Sequence, residues 1–175
     1  MAGLLDTIIQ GILLGGLYAL FAAGLSLIFG IMRLVNLAHG DLIVLAAFAI
    51  LALGSGLGLD PLLATLLALP VMFLIGLAQH WLFDRFKVNE LASLLITFSF
   101  AVILEVAIQL YWTADYRRFE THYSTMSIKV GAFYIPVLEL ALCMVAGVLA
   151  WGTWLWLRKT YVGKALRAAA EDADI

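Results

Sequence analysis

Three places in a mostly apolar chain carry side chains that could do chemistry. The first is the run NLAHGD, Asn36 to Asp41, which places an amide, an imidazole, a glycine and a carboxylate between two apolar stretches with almost no loop to join them. Backbone N–H and C=O groups freed by a broken helix there could bind a small polar solute. Asn36, His39, Gly40 and Asp41 are therefore candidate site residues. His39 is not read as a metal ligand, because no second His, Cys or carboxylate stands at ligand spacing. The second place is the row Ser93, Thr97, Ala101, Glu105 and Gln109, whose four-residue steps keep neighbours on one helical face. A carboxylate such as Glu105 inside lipid must be paired, protonated or wetted. It lines an aqueous path with Thr97, makes a structural hydrogen bond to a neighbouring helix, or reaches the outer interface. The third place is the tail after Gly163, with Lys164 and Arg167 early and Glu171 and Asp172 late. Those charges oppose the preference of a helix dipole. So short a helix is marginal in water, so the tail is expected to be held by a partner or by anionic lipid.

The elements that must position these groups follow from composition. Of 175 residues, 65% are hydrophobic and 13% charged, against about 25% charged in a soluble domain. Mean hydropathy is +1.06. A soluble fold of this size could not hide so much apolar surface, so lipid is the solvent for most of the chain. Net charge −2 offers no basic face to nucleic acid. The single cysteine, Cys143, excludes an internal disulfide and a cysteine-based metal cluster.

The apolar runs are Ile8 to Ile31, Leu42 to the glycines Gly54, Gly56 and Gly58, Pro61 to Phe83, Leu91 to Trp112, and Val137 to Leu157. They lack the alternation of barrel strands. The expected fold is an all-α polytopic membrane bundle of about five spans. Residues 1–157 form the transmembrane domain and residues 158–175 a cytoplasmic segment. If Asn36 to Asp41 were a surface turn, the second run would be short of a crossing. Part of it then lies at membrane depth as a broken second helix, covered by protein or lining a wet cavity. The other reading is a cytoplasmic hairpin with Asp41 as helix N-cap. The first run lacks the basic flank of a signal peptide. Arg33, Arg85, Lys87, Arg158, Lys159, Lys164 and Arg167 fall on one side of the bilayer, and Arg117, Arg118 and Lys129 on the other. The positive-inside rule then sets the N-terminus out and the C-terminus in. The external segment Thr113 to Pro136 holds Tyr116, Phe119 and Tyr123, and part of it is expected on the bilayer surface. Trp151, Trp154 and Trp156 suit an interfacial belt. In the first span, Gly11, Gly15, Ala19 and Ala23 make one row of small residues, and Ala22, Ser26 and Gly30 another. Such rows let helices pack closely; packing inside the bundle is the expected use, and lining a substrate path or forming a dimer seam are the alternatives.

Several of these segments together resemble the permease subunits of branched-chain amino acid ABC importers, the LivH/LivM type. The likeness rests on GILLGGLY (Gly11–Tyr18), GIMRLVNLAHGD (Gly30–Asp41), LASLLITFSFAVILE (Leu91–Glu105) and TYVGKALRAAAED (Thr160–Asp172). Glu105 stands where many members carry Gln. The match runs from about residue 5 to the end, and members continue with further spans, so the chain corresponds to their N-terminal portion. The resemblance implies a multi-pass protein of the bacterial inner membrane. It implies as partners a second permease subunit, cytoplasmic ATP-binding subunits and a periplasmic solute-binding protein. Gly163, Lys164, Arg167, Glu171 and Asp172 would lie in the coupling segment that docks on the ATPase.

The implied function is ATP-driven import of branched-chain amino acids or similar small polar solutes. The alternative is a passive channel for a small neutral solute such as urea or a short-chain amide. The chain has no Walker A motif, so ATP hydrolysis is expected in a separate subunit. It is not read as an enzyme, and no cofactor or metal is expected. His39, His80 and His122 fall in different segments with no nucleophile–base pattern.

Overall fold

The computed structural model describes residues 2–32, 34–113, 115, 117, 126–130 and 133–172. Arg33, Tyr116, Arg118, Phe119, His122 and Tyr123 lie outside the described residues. In chain order the elements are α1 (Ala2–Met32), α2 (His39–Leu57), α3 (Pro61–Arg85), α4 (Glu90–Trp112), β1 (Ser127–Val130), β2 (Phe133–Pro136), α5 (Val137–Lys159) and α6 (Tyr161–Asp172). Among the described residues, five helices are long and apolar enough to cross a membrane, and only 6% to 17% of each one's most apolar window is buried inside the protein. Helices so long, so apolar and so little buried belong in lipid rather than around a soluble core.

The chain divides into two compact units, Met1–Arg33 with Glu120–Ile175, and Leu34–Phe119. In the first, α1 packs along α5 and also touches α6. Gly16 faces Cys143, and an added Cβ there would stand 2.6 Å from Cys143 Sγ. The small-residue rows do something different from what was expected. Gly11, Gly15, Ala19, Ala23, Ala22, Ser26 and Gly30 are exposed, with open space around Gly11, Gly15 and Gly30. Gly16, on neither row, makes the close approach. The hairpin β1–β2 was not foreseen. Its antiparallel register pairs Ser127 with Pro136 and Val130 with Phe133, and Lys129 lies over the Tyr134 ring at 5.6 Å.

In the second unit, local chemistry sets the ends of the helices. Gly58 takes the left-handed conformation (φ 64°) that closes α2, its N–H returning to the Gly54 carbonyl. Asp60 caps α3 by accepting from Leu62 N–H at 2.9 Å, with Pro61 at the first helical position. Asn89 caps α4, accepting from Ala92 N–H at 2.8 Å. The expected break within the second helix is not found: α2 is continuous from His39, and the non-helical backbone is the segment Leu34 to Ala38 ahead of it. The N-cap residue of α2 is Ala38, with no side-chain cap, so Asp41 sits inside the first turn and is not the cap.

Candidate functional site

Leu34–Phe119 holds the unwound segment between α3 and α4. Asn36, 8% exposed, donates from Nδ2 to Gln79 Oε1 at 3.1 Å. Its Oδ1 accepts from Ala38 N–H at 3.1 Å, and its carbonyl accepts from His39 N–H at 3.2 Å. Leu37 N–H donates to Thr97 Oγ1 at 3.1 Å. Thr97 and Ser93 are fully buried, and the Thr97 hydroxyl donates to the Ser93 carbonyl at 2.7 Å. Thr97 is the eighth residue of α4, roughly 10 Å along its axis at 1.5 Å per residue. Gln79 lies six residues before the end of α3, roughly 9 Å by the same rise. The two anchors agree on one level, about a third of the way along a helix of about 34 Å.

From that level α2 runs parallel to α4, and Phe48 stacks on Trp112 with ring centroids 5.2 Å apart. Between the two helices lies a cavity of about 310 Å³ lined by Asp41, Glu105, Gln109, Thr113 and Asp115, with Val44, Phe48 and Ile108 as its apolar wall. Gln109 Nε2 donates to Glu105 Oε1 at 3.2 Å, and Thr113 Oγ1 donates to Asp115 at 2.8 Å. Thr113, at φ 68°, occupies a backbone region that costs a β-branched residue about 1–3 kcal/mol. Phe48 also lines a second cavity, of about 240 Å³, that includes Arg117, Ile50 and Leu51. Among the described residues, no three His, Cys, Asp or Glu side chains converge to hold a metal ion.

The sequence candidates thus separate. Asp41 and Glu105 meet at one cavity, although they are 64 positions apart in sequence. Asn36 and Thr97 do not line it, and they fasten the backbone beside it. Gly40 is exposed, with room for a side chain. His39 is half-buried as the first residue of α2. Gln79 was missed, and the only hint in the sequence was an amide inside an apolar run. Asp115 and Arg117 were counted only as loop residues. In the other unit, a cavity of about 410 Å³ between α1 and α5 carries Thr7, Gln10 and Glu139, none of which the sequence reading had proposed.

The tail joins α5 through one residue. Thr160 Oγ1 donates to the Trp156 carbonyl at 2.7 Å and accepts from Gly163 N–H at 3.1 Å, while its carbonyl accepts from Lys164 N–H at 3.0 Å. Gly163 is buried. A Cβ on it would meet Leu157 Cα at 2.5 Å and the Leu157 and Trp156 carbonyl oxygens at 2.6 Å. Only glycine lets α6 turn so closely against the end of α5. Lys164 is exposed. Arg167, Glu171 and Asp172 lie on α6, with their side chains outside those described.

Fold and site together define a multi-pass membrane protein with a cavity between α2 and α4 that carries both polar and apolar side chains. A family model described as "Branched-chain amino acid transport system / permease component" matches residues 7–175, and the chain belongs to that family. It is 24% identical over 182 residues to the high-affinity branched-chain amino acid transport system permease protein BraD of Pseudomonas aeruginosa, a match covering 96% of this chain and 59% of that relative. The chain therefore spans less than two thirds of that relative's length. No solved structure matches it. Family membership makes it a transporter component of a kind that is usually not an enzyme.

Proposed function

We propose that this chain is transmembrane machinery of an ATP-driven importer of branched-chain amino acids or similar small polar solutes. The observation that carries the reading is the cavity between α2 and α4. Phe48 lines two cavities: Asp41, Glu105 and Asp115 offer negative charge in one, and Arg117 offers positive charge in the other. A zwitterion needs both, and Phe48, Ile50 and Leu51 suit an apolar side chain. The first turn of α2 begins about a third of the way along α4. This supports a place for the break within the bilayer, where transporters put substrate sites.

The remaining assignments follow the distribution of basic residues and the family resemblance. By the positive-inside rule the N-terminus is outside and α6 is cytoplasmic, in a bacterial inner membrane. Residues 158–175 engage an ATP-binding subunit through Gly163, Lys164, Arg167, Glu171 and Asp172. A second permease subunit and a periplasmic binding protein complete the assembly. The test is uptake of labelled leucine into proteoliposomes carrying the chain with its co-expressed ATPase and binding protein. Accumulation that requires ATP is expected. Equilibration of leucine or urea without ATP would replace the importer with a passive channel, and reaction of Lys164 with an external impermeant amine reagent would overturn the orientation.

A further inference from the structure

The unwound segment owes its shape to side chains far away in sequence. Ala38 N–H can only donate, so the amide oxygen of Asn36 must face it, at 3.1 Å. That orients Nδ2 away, toward Gln79 Oε1 at 3.1 Å. One residue on, Leu37 N–H is taken by Thr97 Oγ1, also at 3.1 Å. Two consecutive residues of non-helical backbone are thus tied to α3 and to α4 at one level. Asn36 is buried and Thr97 fully so, which leaves little water to replace either bond. A polar group left unpaired in such a place costs far more than the bond itself contributes.

We propose that Gln79 is a positioning residue of the translocation site. By accepting the Asn36 amide, it fixes the segment that delivers Gly40 and Asp41 to the head of α2, and so fixes Asp41 against the cavity. The inference rests on reading that cavity as part of the path. Gln79 does not line the cavity and acts only through Asn36. The chemical requirement at residue 79 is narrow, namely an acceptor at that point. Glu supplies one in either protonation state, and Leu supplies none.

The experiment uses the complete importer in proteoliposomes, together with membranes carrying Gly40→Cys in a Cys143→Ser background. Gly40 has open space around it, so a thiol there reports the segment's exposure to an impermeant maleimide. Gln79→Leu is expected to raise KM for leucine uptake about tenfold and to accelerate labelling at residue 40. Gln79→Glu is expected to bring both close to the parent. Gln79→Met keeps a long flexible side chain at residue 79 and supplies no oxygen acceptor. It should behave as Gln79→Leu does, and it decides the matter if that variant does not accumulate. Unchanged KM and labelling in Gln79→Leu or Gln79→Met, or an equal defect in Gln79→Glu, would overturn the proposal. Absence of uptake by the parent complex sinks the importer reading instead, and the labelling arm still decides whether Gln79 holds the segment.

Discussion

Between α1 and α2 several residues leave the helix, and between α5 and α6 only Thr160 does. The two joints are held in opposite ways. The first depends on Gln79 and Thr97, 43 and 60 positions from the groups they bind. At the second the bonds run between neighbours, with Thr160 bonded to Trp156, Gly163 and Lys164 and Gly163 packed on the backbone of Leu157. Under the proposed function, the segment before α2 is the candidate for movement, and the corner before α6 the candidate for transmission to the ATP-binding subunit.

Transmission through the corner gives the largest expected effect. Gly163→Ala puts a methyl against backbone that no side-chain rotation can clear. It should swing α6 away and cut uptake by about a hundredfold, the scale at which small misplacements disable a working geometry. Membrane insertion, followed by protease protection, should be normal. Near-normal uptake would show that the corner is not stiff. Arg167→Glu should act through the partner rather than the corner, lowering leucine uptake about tenfold while ATP hydrolysis continues. Uptake at the parent rate would remove the contact assigned to Arg167.

The two joints also differ in how much of each the sequence revealed. Thr160 and Gly163 stand three apart, and a hydroxyl capping the third residue of a helix is a local pattern. The spans and the polar run at Asn36 are local in the same sense, and so are the caps Asp60 and Asn89, which the sequence reading did not name. Gln79 is not, because an amide in an apolar run carries no mark of its partner. Spacing put Thr97 and Glu105 on one face of α4, yet the structure divides them between fastening the segment and lining the cavity. The rows through Gly11 and Ala22 show the same limit, since spacing tells which residues share a face and not what that face meets. The hairpin had a local signal. Gly131 is the first of two residues between the paired ends Val130 and Phe133, a favoured hairpin arrangement, but a reading at the scale of membrane spans passes over it.

Thr97→Val tests the long-range joint with a smaller expected effect. It keeps the shape of the side chain and leaves Leu37 N–H without its acceptor, at a cost of about 1–3 kcal/mol. Thermal unfolding in detergent should fall by several degrees, while Thr97→Ser, which keeps the hydroxyl, should fall less. If the two variants unfold together, the hydroxyl is not what fastens Leu37.

The smallest effect belongs to Glu105→Gln, which isolates charge from structure. The Glu105 side chain is exposed and accepts from Gln109, and an amide at residue 105 can accept the same bond. Only the negative charge is lost. In a wetted cavity the attraction of such a carboxylate for an ammonium group is about 0.2–1 kcal/mol. KM for leucine should therefore rise by about two- to fivefold, with the maximal rate unchanged. An unaltered KM would leave Asp41 and Asp115 as the charges that matter in the cavity. A fall in the maximal rate instead would place Glu105 in the moving joint rather than beside it, and the division between a segment that moves and a wall that binds would have to be redrawn.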